Sequence, residues 1–123
     1  MKNPDNGIFL LHIASSLQKI LQYLENVTKE EFFSNPLVQD AVVRNYEIIG
    51  EATKHISDDL RIKYPDIDWR GMAGLRDILI HHYFGIDLLN VWNISQTLAA
   101  DILTIIRTLP EFQAAQEKLD KKH

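Results

Sequence analysis

The sequence predicts an all-α fold, a helical bundle of four main helices with one or two short ones, and three observations carry that expectation. Apolar residues recur at three- and four-residue steps along the long stretches. Capping residues stand just ahead of several of them, and no segment of useful length shows the two-residue alternation of a strand. With 123 residues, 46% of them hydrophobic and 24% charged, the chain has the size and balance of one folded unit. Residues 1–123 are therefore expected to form a single domain ending in a polar tail over 110–123.

Between Ile8 and Val27 the residues Leu10, Ile13, Ala14, Leu17, Ile20, Leu21 and Leu24 make one helical stripe. Thr28 and Glu31 have capping-box spacing, so a short helix carrying Phe32 and Phe33 is expected there. Ser34-Asn35-Pro36 restarts the chain, because proline suits a first helical turn and its neighbours can cap. The second long helix then presents Leu37, Ala41, Ile48, Ile49 and Ala52 as its apolar face and ends near Ile56-Ser57, with a further turn or two over Asp58 to Lys63. Asp68 is the expected cap of a helix from Trp69 to about Tyr83 or Phe84, where Gly85 permits a left-handed exit. Asp87 caps the last long helix, Leu88 to Leu109, which Pro110 stops.

No apolar run approaches the roughly 20 residues needed to span a bilayer, and Met1 to Gly7 lacks the pattern of a secretory leader. The chain contains no cysteine, which excludes disulfides and thiolate metal sites and makes a cytoplasmic location the expectation. A net charge of −4 argues against a broad nucleic-acid surface, so any RNA site has to concentrate its few cations or be completed by a second subunit.

The stretch Arg76-Asp-Ile-Leu-Ile-His81-His-Tyr83 concentrates the chemistry. On a continuous helix Met72, Leu75, Ile78 and Leu79 gather on the core side, while Asp77 and His81, four apart, share the opposite side. There the Asp77 carboxylate can hold one imidazole nitrogen of His81 and leave the other for proton transfer. His82 falls in the apolar stripe and reads as a core or helix-ending residue. Arg76 and His81 are about 140° apart on an ideal helix, so either the helix ends early or two copies meet. A two-fold dimer would bring Arg and His from both subunits into one cleft. Such a cleft suits metal-free RNA cleavage, with histidines moving protons and arginine stabilising the phosphoryl charge.

Glu47, Glu51 and His55 follow one another at four-residue steps, yet the paired Glu-x-x-His motifs of a bundle metal site are absent, so no metal is assigned. Glu47 and Glu51 read as partners of nearby cations such as Arg44, or as carboxylates shaping the cleft. Gly50, Gly71 and Gly74 suggest close helix packing, and Trp69 and Trp92 read as packing anchors.

Arg76-x4-His81-x-Tyr83 resembles the Arg-x4-His-x-Tyr motif of the HEPN superfamily, specifically its HepT-like toxins. The likeness extends through Arg44-Asn-Tyr-Glu-Ile-Ile-Gly-Glu-Ala52, Tyr64-Pro-Asp-Ile-Asp-Trp69, His82-Tyr-Phe-Gly-Ile-Asp87 and Val91-Trp92. It implies a homodimeric HEPN-type helical ribonuclease of a toxin–antitoxin system, with Arg76 and His81 in the catalytic cleft; Asp77, Glu47 and Glu51 are the supporting residues that helical spacing suggests, and no cofactor is expected. It also implies a minimal nucleotidyltransferase antitoxin that transfers AMP from ATP to Tyr83, where added phosphate and bulk oppose RNA. The competing reading is a non-catalytic helical subunit that binds or regulates a nucleotidyltransferase.

Overall fold

Local capping decides where most of the helices begin. The computed structural model describes residues 5–81 and 85–122, with the backbone alone described for His81. Asp5 accepts from the Gly7 amide to start α1 (Asn6–Tyr23). Thr28 and Glu31 form the reciprocal capping box of α2 (Lys29–Phe33), and Asn35 caps α3 (Pro36–Lys54), which has proline in its first turn. Ser57 caps α4 (Asp58–Lys63) and exchanges two 2.9 Å hydrogen bonds with Asn6, tying the start of α4 to the start of α1. Asp68 caps α5 (Trp69–Ala73), and Asp87 caps α7 (Leu88–Thr97). The remaining elements are α6 (Leu75–Leu79), the two-residue strands β1 (Ile80–His81) and β2 (Gly85–Ile86), α8 (Ala99–Thr108) and α9 (Pro110–Lys122).

The core lies where α1 packs on α3 and α8. Leu10, Ile13, Leu17 and Ile20 of α1, Val42, Tyr46 and Ile49 of α3, Val91 of α7, and Leu103 and Ile106 of α8 are all buried. Tyr46 reaches across this core to Ser95, 2.7 Å away. The Ser95 hydroxyl donates to the Val91 carbonyl, so the Tyr46 hydroxyl is the donor to Ser95. Burial pushes the Tyr46 phenol up to about 12, against the lowering effect of its Ser95 bond, so it stays neutral and serves structure. Phe32 is buried against Trp92, with ring centroids 5.5 Å apart, and Trp69 donates its indole N–H to the Tyr64 carbonyl, which fits both tryptophans as packing anchors.

Four sequence expectations change. The apolar face of α3 is Val42, Val43, Tyr46, Ile49 and Ala52, whereas Leu37, in its first turn, is 80% exposed. The expected last long helix bends at Leu98 into α7 and α8. Helical bonds continue across the bend, and Ser95 and Thr97 bond back to carbonyls four residues earlier, which tilts a helix. Pro110 ends one helix by starting another. The polar segment expected as a frayed helical tail is helical over 110–122, and it is docked rather than frayed, with Phe112 buried. The Glu111 carboxylate anchors α9 to α4 by accepting from the Lys63 ammonium at 2.8 Å and the Tyr64 hydroxyl at 2.7 Å.

The fourth change concerns the motif helix. It breaks at Gly74 and ends at Leu79, after which Ile80 is extended at φ −119 and ψ 114. Ile80 pairs with Ile86 and His81 with Gly85 in an antiparallel register, and Gly85 takes a left-handed φ of 77. Gly71 and Gly74 each weaken a helix by about 1 kcal/mol relative to alanine, and the β-branched Ile80 and Ile86 favour the extended backbone they adopt. The Asp87 amide closes the base of the hairpin on the Leu79 carbonyl at 2.8 Å.

Candidate functional site

The site is built where α6 passes over α3. Gly50 makes the approach possible. A Cβ there would stand 3.3 Å from the Ala73 carbonyl oxygen and 3.4 Å from that of Met72, so the end of α5 lies directly on the α3 backbone. One turn before Gly50, Glu47 faces the start of α6, and its carboxylate pairs with the Arg76 Nε at 3.5 Å. Arg76 is 63% exposed and Glu47 29%, so the carboxylate sits under the guanidinium and the arginine faces outward. The contact uses Nε, so the two terminal amino groups are not the atoms paired with Glu47, and they are the donor pair suited to a phosphate.

Gly50→Ala is expected to destabilise the fold by about 1 kcal/mol. Overpacking against fixed backbone costs about 1–3 kcal/mol, and the gain in helix propensity of about 1 kcal/mol offsets only part of it. Chemical denaturation of the purified variant measures the difference.

The early end of α6 alters the geometry inferred for the motif. Asp77 is exposed on α6, but His81 lies on an extended strand, so the four-residue helical step that paired their side chains does not exist. For the same reason the 140° separation of Arg76 and His81 does not apply. The His81 side chain, His82 and Tyr83 lie outside the described residues. Glu51 pairs with Lys54 at 3.6 Å in a solvent-exposed contact, away from Arg76. His55 stacks on the Phe9 ring, with centroids 4.9 Å apart, and among the described residues no cluster of His, Asp and Glu is arranged to hold a metal.

The Glu47–Arg76 pair was only half legible. Glu47 could be chosen as a carboxylate near a cation, but Arg44 was the nearer candidate in sequence. The glycine one turn along α3 was the signal that another backbone arrives there.

An exposed ion pair contributes only about 0–1 kcal/mol, so the value of Glu47 lies in orienting Arg76. If Arg76 serves RNA cleavage, as the resemblance implies, Glu47→Gln is expected to lower that cleavage several-fold while leaving the thermal midpoint within a few degrees of wild type, and Glu47→Asp to recover part of the loss. Single-turnover cleavage beside thermal denaturation separates the two effects.

A largely apolar groove of about 350 Å³ runs between α5–α6 and α7–α8. Its rim carries Ile78, Leu98 and Ile105, which are 42%, 50% and 45% exposed. Ile78 and Arg76 stand two residues apart on α6 and therefore project from different sides of that helix.

No solved structure matches the chain. The family model described as "Ribonuclease HepT-like" matches residues 13–109, which include Glu47, Arg76, His81 and Tyr83. A protein of Methanocaldococcus jannaschii provisionally named as an RNase is 44% identical over 121 residues, covering 98% of this chain and 92% of its own. A second from the same organism is 42% identical over 94 residues, covering 76% of this chain and 86% of its own. A Thermococcus cleftensis protein whose name assigns it, provisionally, as ribonuclease HepT is 36% identical over 113 residues, covering 92% and 94%. Together with the helical fold, these matches establish that the chain belongs to the HepT-like ribonuclease family.

Proposed function

We propose that this protein is a metal-independent endoribonuclease, the toxin of a toxin–antitoxin pair, which cuts cellular RNA such as tRNA or mRNA. The observation that carries the reading is the outward-facing Arg76, held by Glu47 at the entry to the strand that bears His81, in a chain of a ribonuclease family. The RNA supplies its own nucleophile. A neutral His81 takes the proton of the ribose 2′-hydroxyl as the 2′-oxygen bonds to phosphorus, the bond to the 5′-oxygen breaks, and a protonated His81 of a second copy returns a proton to that oxygen. Arg76 neutralises charge on the phosphoryl oxygens as it builds.

The active form in this reading is a homodimer. With α6 ending at Leu79, helical angles no longer call for two copies, and the support passes to the apolar edge. Ile78, Leu98 and Ile105 are the kind of contiguous exposed surface that a second copy would cover. Ile78→Asp with Leu98→Asp is expected to shift the protein from dimer to monomer in sedimentation and to reduce cleavage in parallel. A wild-type monomer at micromolar concentration would refute the dimer.

Inhibition is assigned to a minimal nucleotidyltransferase that adenylylates Tyr83. Co-expression with that partner should add the mass of one or more adenylyl groups to the wild-type chain, and none to Tyr83→Phe, while unmodified protein cleaves RNA. Unmodified wild-type protein that neither cleaves RNA nor inhibits growth would leave the non-catalytic subunit as the correct description.

A further inference from the structure

A second surface lies between α1 and α9 and belongs to neither Arg76 nor the apolar edge. It is an open groove of about 700 Å³. Ile8, Leu11, His12, Ser15 and Gln18 line it from α1, at the three- and four-residue steps of one helix edge. Phe112, Ala115, Gln116, Leu119 and Lys122 face them from α9 with the same spacing. The two edges can hold together because Gly7 meets Ala115, where a Cβ on Gly7 would come within 2.7 Å. Ile8 and Leu119 remain 48% and 41% exposed although both point into the groove.

Its charge is opposite to that of the protein. Arg107, Lys118 and Lys122 border the groove, all exposed, against the single carboxylate of Asp5, which is engaged with the Gly7 amide. None of these three cations takes part in an ion pair among the described residues. Arg107 is held instead by the neutral Gln18 side chain. Three uncompensated cations around aliphatic residues, in a chain of net charge −4, fit an occupant that brings both an aliphatic stripe and carboxylates.

The lining favours a protein over RNA. Single-stranded RNA is held mainly by bases stacked on successive aromatic faces, whereas the groove offers the His12 imidazole beside the exposed aliphatic Ile8 and Leu119, and Phe112 is buried. The span of α1 from Ile8 to Gln18 is about 15 Å, enough for roughly three turns of a third helix. Moreover, α9, one wall of the groove, lies outside residues 13–109 matched by the family model.

We propose that the α1–α9 groove is a docking site for an acidic amphipathic helix of a partner protein, seated with its aliphatic stripe on Ile8, Leu11 and Leu119 and its carboxylates on Arg107, Lys118 and Lys122. This site is independent of the ribonuclease reading, because it uses none of the residues assigned to RNA cleavage.

The test uses the full chain and a fluorescently labelled 14-residue helical peptide with leucine on one face and glutamate on the other, beside a twin with lysine in place of glutamate. The expected result is saturable binding of the acidic peptide only, weakened at least tenfold by Lys118→Glu with Lys122→Glu, and weakened again by Leu119→Asp. Circular dichroism of the variants should match wild type, and their RNA cleavage should be unchanged. Equal binding of both peptides, no binding of the acidic one, or an affinity indifferent to the substitutions would each overturn the proposal. So would displacement of the acidic peptide by a short single-stranded RNA, which would make the groove a nucleic-acid surface.

Discussion

Arg76→Ala and His81→Ala are each expected to reduce RNA cleavage by about 10²–10⁴-fold while leaving the helical fold intact. The range follows from the usual worth of one positioned general acid or base and of one charge-stabilising donor. Arg76 contributes little to stability, since its contact with Glu47 is an exposed ion pair at 3.5 Å, so its loss should be seen in turnover and not in folding. Arg76→Lys makes the argument sharper. A lysine keeps the positive charge but lacks the planar fork and the Nε that faces Glu47, so it should recover only a small part of the activity. If instead Arg76→Lys were fully active, a diffuse positive charge would suffice and the oriented guanidinium would be the wrong explanation. Cleavage of a labelled RNA under single-turnover conditions, with circular dichroism as the control for folding, decides between them.

Leu79→Ala should be the most damaging substitution for stability near the site, at about 2–5 kcal/mol. Leu79 is 1% exposed, ends α6, and lends its carbonyl to the Asp87 amide that closes the hairpin. Removing its side chain leaves a cavity under the point where helix turns into strand. The loss should appear as a lower denaturation midpoint, and as activity that falls further than Glu47→Gln produces, because Arg76 and His81 are then no longer held in one frame. Leu79→Ile, which keeps the volume, should cost less than about 1.5 kcal/mol and retain most of the activity. Equal losses for alanine and isoleucine would mean that the shape of the leucine, rather than burial, fixes the turn.

How well each part could be read from the sequence follows the range of the interaction that sets it. Thr28, Asn35, Asp68 and Asp87 cap their helices through bonds to residues three positions on, so residue type and spacing were enough to locate these starts. The stripe of α1 was equally plain, since its periodicity and its burial coincide over Leu10, Ile13, Leu17 and Ile20. On α3 the same reasoning failed at Leu37, because a hydrophobic residue in a first turn reaches past the neighbouring helix and stays in water. The segment beyond Pro110 reads by composition as a polar, frayed helical tail. Phe112, the Gly7–Ala115 contact and the bonds from Lys63 and Tyr64 to Glu111 dock it, and all of these partners lie far away in the chain.

The motif shows the same division at close quarters. Residue identity alone singled out Arg76, His81 and Tyr83, and family resemblance gave them their expected roles. Helical periodicity then carried the helix past Leu79 to His81, where the backbone is extended, because Ile78, Leu79 and Ile80 satisfy a helix and an extended turn about equally well as a local pattern. What settled the matter was burial of Leu79 in the core and closure of the hairpin by Asp87, together with the approach of α5 to Gly50. The sequence by itself determined the helical class and most of the helix starts, and it named the candidate reactive side chains, since those depend on residues within a few positions of each other. Only the tertiary structure decided that Glu47 holds Arg76, that the motif helix stops at Leu79, and that α9 closes a groove on α1. Each of these depends on segments brought together by packing, whose energy no local window contains.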